Sequence, residues 1–153
     1  MRKTPRDDRN PLWADIEKKI QERAIKKDTN FALSGKWKKS VRDQDSFKIF
    51  SVDGEWVRNN LSIMFHHGGH GYVHEFIPLD EIWIETRHCH CNCKNVRNGQ
   101  KISLAFFEST VIHEITELKL MKKGMIYWDA HQLAIQKEQE IGLLKDPYED
   151  NED

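Results

Sequence analysis

The chain changes its hydrophobic period twice. Residues 12–27, "LWADIEKKIQERAIKK", place Leu12, Ile16, Ile20 and Ala24 four apart, on one face of a helix among basic residues. The stretch that follows, "DTNFALSGKWKKSVRDQD", is turn-rich and basic and reads as a connector. From Phe47 the pattern becomes that of short strands. "FKIFSV" and "EWVR" flank Asp53-Gly54, a residue pair suited to a two-residue hairpin turn. "LSIMF" (61–65), "YVHEFI" (72–77) and "EIWIE" (81–85) continue in the same period, separated by "HHGGHG" and "PLD". The Gly68-Gly69 pair suits a turn at positive φ. Residues 87–101 form a polar loop. Helical spacing then returns over 103–124, with Leu104, Phe107, Val111, Ile115, Leu118 and Met121 apolar and Gly124 as a stop behind Lys122 and Lys123. A second helix is predicted from about Trp128 to Leu143, capped by Asp129 or a neighbour.

These elements predict an α+β fold. A small antiparallel sheet, a hairpin or meander of four or five strands, packs against a C-terminal helical pair, with a further helix at the N-terminus. The divisions along the chain are 1–46, a basic helix and connector; 47–143, the α+β domain; and 144–153, an acidic tail expected to be disordered. There is no internal repeat.

Composition narrows the function classes. The chain has 153 residues, 32% charged and 38% hydrophobic, enough for one modest core. Its net charge of −1 gives no overall attraction to nucleic acid or membrane. No apolar run approaches the roughly 20 residues that span a bilayer. "MRKTPRDDRNPLW" has no apolar segment behind its charges, so the expected location is the cytoplasm. The three cysteines fall in one short run, which is not a disulfide framework.

The candidate chemistry lies in "VIHEITELKLMKKGMIYWDAHQLAIQKE" (111–138). His113 and Glu114 begin a zinc-peptidase H-E-x-x-H, but Glu117 stands where the second histidine belongs. Residues four apart share a helix face, so His113 and Glu117 point together, and Glu114 lies about 100° to one side. A carboxylate replaces imidazole as a zinc ligand at a similar bond length. A turn at Gly124 folds the second helix back and brings His131 toward the pair. Against this stands the bland reading, two amphipathic helices that happen to carry histidines. Spacing alone leaves the two readings level.

Two segments, 52–85 and 111–138, resemble a family of small zincin-like proteins of bacteria and phages. The first carries Gly68, Gly69, His70, Tyr72, Val73, Phe76, Ile77, Pro78, Glu81, Ile82, Trp83 and Ile84. The second carries His113, Glu114, Glu117, Leu120, Met121, Gly124, Tyr127, Ala130, His131, Ala134 and Glu138. The resemblance implies a metal held by His113, Glu117 and His131, zinc or another divalent ion, with Glu114 as the general base. It also implies a cleft along the strand upstream of the helix, where an extended peptide adds to a sheet edge, with "EIWIE" as the candidate edge. The linker between the segments is longer here than the family's and carries the Cys/His run.

Other histidines divide into two groups. His70 is read as functional, a further ligand or a donor to an oxyanion. His66 and His67 are read as ordering the turn. "HCHCNC" (88–93) alternates too tightly for a zinc knuckle and reads first as a loop of free thiols, with a second metal as the lesser reading. The basic N-terminal stretch with Trp13 and Trp37 leaves a nucleic-acid partner open, but a solvated helix and linker explain it better. Trp56, Trp83 and Trp128 are read as core or rim. The resulting expectation is a metal-dependent hydrolase of peptide or protein substrates. The alternative is a non-catalytic module stabilised by metal. The sequence does not indicate an oligomeric state.

Overall fold

The computed structural model describes residues 11–26, 33–87 and 100–143. The Cys/His run, the acidic tail and the side chain of Trp13 lie outside what is described. The elements are α1 (Pro11–Ile25), β1 (Lys38–Gln44), β2 (Phe47–Val52), α2 (Gly54–Asn60), β3 (Gly68–His70), β4 (Glu81–Glu85), α3 (Leu104–Lys122) and α4 (Tyr127–Ile141). The fold is α+β, with an N-terminal helix, one sheet and a C-terminal helical pair. No helix among the described residues is long and apolar enough to cross a membrane.

The sheet departs from the expected antiparallel meander. Its strand order is β1-β2-β4-β3, and β2 runs parallel to β4 while the other two pairs are antiparallel. β4, "EIWIE", is therefore internal, and all five of its residues are buried. Ile82 and Ile84 face a cluster with Phe47, Ile49, Val111, Ile115 and Leu118, while Trp83 joins Val52, Val57, Phe65 and Ile77. Alternate side chains of a strand point to opposite faces, so the continuous burial follows from cover on both sides. The edges of the sheet belong instead to β1 and to the three-residue β3.

Asp53-Gly54 is not a hairpin turn. Asp53 caps α2, its side chain accepting a hydrogen bond from Trp56 N at 3.1 Å. Asp is as good an N-cap as it is a turn residue, and packing decides between them. A Cβ on Gly54 would collide with the Glu85 side chain, so glycine lets α2 approach β4 closely. The hairpin lies earlier, between β1 and β2, where Asp45 and Ser46 both adopt positive φ as a type I′ turn requires. The connector thus supplies β1, and the division between residues 46 and 47 falls within this hairpin. "LSIMF" and "YVHEFI" form turns, not strands: Val73 N and His74 N both donate to His70 O, at 3.2 and 3.0 Å.

The basic connector residues are used structurally. Trp37 stacks on Trp56 with ring centroids 4.3 Å apart. Lys38 lies 2.6 Å from Glu81, which also accepts from Trp83 Nε1 at 2.8 Å. Arg42 makes a two-pronged pair with Glu108 on α3.

The helical pair forms as its pattern predicts. Ser103 caps α3 by accepting from Phe106 N at 3.2 Å. At the far end Gly124 takes φ +106°. Met125 N donates to Leu120 O at 3.1 Å and Gly124 N to Met121 O at 3.0 Å. These two bonds make a Schellman turn, which satisfies carbonyls that a helix end leaves open. α4 starts one residue earlier than expected, at Tyr127 behind Ile126, without a side-chain cap from Asp129. α1 also serves this corner. Gln21 donates to Met121 O and Met125 O, at 3.1 and 2.9 Å. That polar anchor decides which side of α1 turns inward, so Ala24 is buried while Leu12, Ile16 and Ile20 remain largely exposed.

Candidate metal centre

α3 presents His113 and Glu117 on one face, one turn apart, and α4 folds back to present His131 beside them. His113 Nε2 is 3.1 Å from Glu117 Oε2 and 3.1 Å from His131 Nδ1. His131 Nδ1 is 2.9 Å from Glu117 Oε2. Three donor atoms from two helices thus form a nearly equilateral triangle. Ligand bonds of about 2.0–2.1 Å in tetrahedral array put donor atoms about 3.3 Å apart, so the triangle accepts a divalent ion with little expansion. The three residues sequence reasoning chose as ligands converge.

Hydrogen bonding behind the triangle makes these atoms suitable donors. His113 Nδ1 is 2.8 Å from Glu138 Oε2, and Ser109 Oγ donates to Glu138 Oε1 at 2.8 Å. A carboxylate at Nδ1 holds the proton there in the neutral ring and turns the Nε2 lone pair into the triangle. His70 plays the matching part for Glu117. Tyr72 N donates to His70 Nδ1 at 3.3 Å, which leaves Nε2–H to bond Glu117 Oε1 at 2.8 Å. His70 is fully buried behind the carboxylate. Its Nε2 is engaged with Glu117 and its Nδ1 with Tyr72 N. His70, Glu114 and Glu117 also bring donor atoms close enough for a second ligand set, sharing Glu117 with the first.

The electrostatics call for positive charge. Burial works against the His113 cation, but hydrogen bonds to Glu117 and Glu138 and the Glu114 charge outweigh it and raise its pKa to about 10. Without an ion, a proton on His113 supplies the cationic charge. Glu117 is opposed by burial yet held well below the usual carboxylate range by His113, His131 and His70. Glu114, buried and beside the Glu117 charge, is pushed up to about 8. Its Oε2 lies 4.0 Å from His113 Nε2.

One side of the triangle opens on a cavity of about 770 Å³ that reaches from α3 and α4 past β3 to α1. Glu114, His67, Gly68, Gly69 and Tyr127 line it, and Met64, Val73, Phe76 and Ile20 add apolar surface. Tyr127 stacks against His131 with centroids 5.1 Å apart, and burial raises its phenol pKa. Of the other histidines in the "HHGGHGYVH" segment, His66 is exposed and His67 is on the cavity wall. The residue that sequence reasoning left without a role is Glu138. It follows His131 by seven, two helical turns, and that same-face spacing was its one available signal. No family model matches the chain, and no curated protein or solved structure matches it.

Proposed function

We propose that the protein is a small metal-dependent hydrolase acting on an amide bond of a peptide or protein. The observation that carries this reading is the convergence of His113, Glu117 and His131 around one point beside a cavity. A divalent cation bound there would polarise a carbonyl and acidify a water molecule. Zinc suits two imidazoles and a carboxylate, and manganese or iron suit the same set. Glu114 stands on the cavity wall next to His113 and is the group to accept and pass on a proton. His70 and Glu138 keep Glu117 and His113 in orientation from behind.

The substrate class is argued from the cavity wall. β3 is one of the two edge strands of the sheet, and its Gly68 and Gly69 line the cavity. An extended backbone can pair with such an edge, and Met64, Val73 and Phe76 suit apolar side chains. A nucleic-acid partner is less favoured, because Lys38, Arg42 and Lys119 are paired with Glu81, Glu108 and Asp45. The second reading, a structural ion in a binding module, draws on the deep burial of His113 and Glu117, at 3% exposure each. The cavity on the open side favours catalysis over it.

The test is elemental analysis of the purified protein, followed by Glu114→Gln assayed on a peptide library. We expect about one equivalent of zinc in both proteins and cleavage in the parent alone. Metal that leaves only on unfolding, with no peptide cut by either protein, would select the structural ion.

A further inference from the structure

We propose that His67 is a catalytic residue of this site, the hydrogen-bond donor to the carbonyl oxygen of the bond being cut. The inference rests on the metal-dependent reading above and adds to it the group that meets the substrate oxygen. It reverses the expectation that His67 orders a turn and His70 faces the substrate.

His67 lines the same cavity as His113, Glu114 and Glu117. Its Nδ1 is closed off from the cavity and has no hydrogen-bond partner among the described residues, the only buried histidine nitrogen there in that condition, so the proton the ring can offer to the cavity is the one on Nε2. A buried polar atom left unpaired is costly and calls for a role. The other rings at the site are engaged: His113 and His131 in the triangle, His70 with Glu117. Thr110, a neighbouring hydroxyl on the wall, donates to Phe106 O at 2.9 Å.

The backbone holds His67 in place at some cost. Its φ is +60°, in the left-handed region that few non-glycine residues adopt, histidine among them. A buried network enforces it. His67 N donates to Glu85 Oε2, and Glu85 N donates to His67 O at 2.8 Å. Arg58 holds the other carboxylate oxygen of Glu85 at 3.0 Å. Glu85 is fully buried. The ring itself rests against Phe106, centroids 5.7 Å apart. A left-handed residue fixed by a buried network on a cavity wall is the pattern of a functional group held ready. Burial first, then the neighbouring His66 and Arg58, keep the ring neutral by lowering its pKa to about 4. A neutral imidazole carries one N–H and can donate it without releasing a proton to solvent. An oxygen that gains negative charge as the carbonyl is attacked would take that bond, and donors aimed at such an oxygen lower the barrier.

Two small probes on the cobalt(II)-loaded full-length protein test this, read from visible absorption. Acetohydroxamate presents an oxyanion to the site, and 2-mercaptoethanol binds through sulfur alone. In His67→Gly, where glycine accepts the positive φ, acetohydroxamate affinity should fall roughly 10- to 100-fold, the worth of a bond to a charged group. Thiol affinity should stay within about twofold, since sulfur needs no donor. His67→Asn tolerates the same backbone and should behave alike, because its shorter side chain falls short of the ring's reach. Equal losses for both probes, or none for either, would overturn the role of His67. A wild-type protein that gives no cobalt spectrum would overturn the metal reading itself, and this inference with it.

Discussion

His113 Nδ1 and Glu138 Oε2 are 2.8 Å apart, and this contact ties the His113–Glu117 face of α3 to α4 independently of any ion. Glu138 in turn is held by Ser109, which fixes the orientation of the imidazole. Carboxylates behind metal-binding imidazoles tune affinity by about 10- to 100-fold. Glu138→Ala should therefore weaken zinc binding by that factor, and Glu138→Gln by less, because an amide oxygen still accepts the Nδ1 proton. Competition titration against a chromophoric chelator measures both. Unchanged affinity in Glu138→Ala would mean that the ring is set by packing alone.

Metal should also act on stability. A ligand that binds only the folded chain at 100 times its dissociation constant adds about 2.7 kcal/mol. For a domain of this size each kcal/mol moves Tm by about 2–4 °C, so saturating zinc should raise Tm by roughly 5–10 °C over EDTA-treated protein. The increment should vanish in His131→Ala, whose ring is the sole α4 member of the triangle. Differential scanning calorimetry with and without metal decides this, and an increment that survives the substitution would place the ion elsewhere.

The helical pair and the meeting of His113, Glu117 and His131 were legible because their signals are local. His113 and Glu117 share a face by a spacing of four, and Gly124 marks the turn that returns His131. Strands β2 and β4 were legible as well, but the pairing of the sheet was not, because it joins distant residues. β2 meets β4 in parallel across α2 and β3, and no local pattern announces that partnership. "LSIMF" and "YVHEFI" carry strand-like residues yet form turns whose apolar members, Phe65 and Ile77, fill the core beneath Trp83. β1 was hidden in a stretch whose lysines and arginine read as solvent-facing, although Lys38 and Arg42 are spoken for by Glu81 and Glu108. The pairing of His67 and His70 was hidden for a related reason. Which ring of a histidine-rich turn is engaged and which is left unpaired depends on Glu117 and Glu85, residues far off in sequence.

Gly124 offers a test of that corner. A Cβ there would meet nothing within 4 Å, yet φ is +106°, so a side chain costs backbone strain and no collision. Gly124→Ala should destabilise by about 1–2 kcal/mol. Because the Schellman turn sets how α4 returns to α3, zinc affinity should fall in the same variant. Urea denaturation and the chelator titration separate the two effects, and the expected destabilisation with intact affinity would confine the turn to a structural part.

Acid should expose the cost of keeping His67 neutral. Its pKa is about 4 in the folded protein, lowered chiefly by burial, against about 6.5 in an unfolded chain. Between those values the unfolded state binds more protons than the folded one, so stability rises with pH through the window. Run the other way, acidification from pH 6.5 toward 4 removes stability and the loss levels off below pH 4. A depression of this size corresponds to about 3 kcal/mol across the window. His67→Asn cannot titrate, so its stability at pH 4.5 relative to pH 7 should exceed the parent's relative value by most of that amount. Urea midpoints at the two pH values for metal-free protein measure the difference. Parallel pH profiles for parent and variant would show that the ring takes up its proton freely, and that the cavity wall around it is wetter than its buried Nδ1 implies.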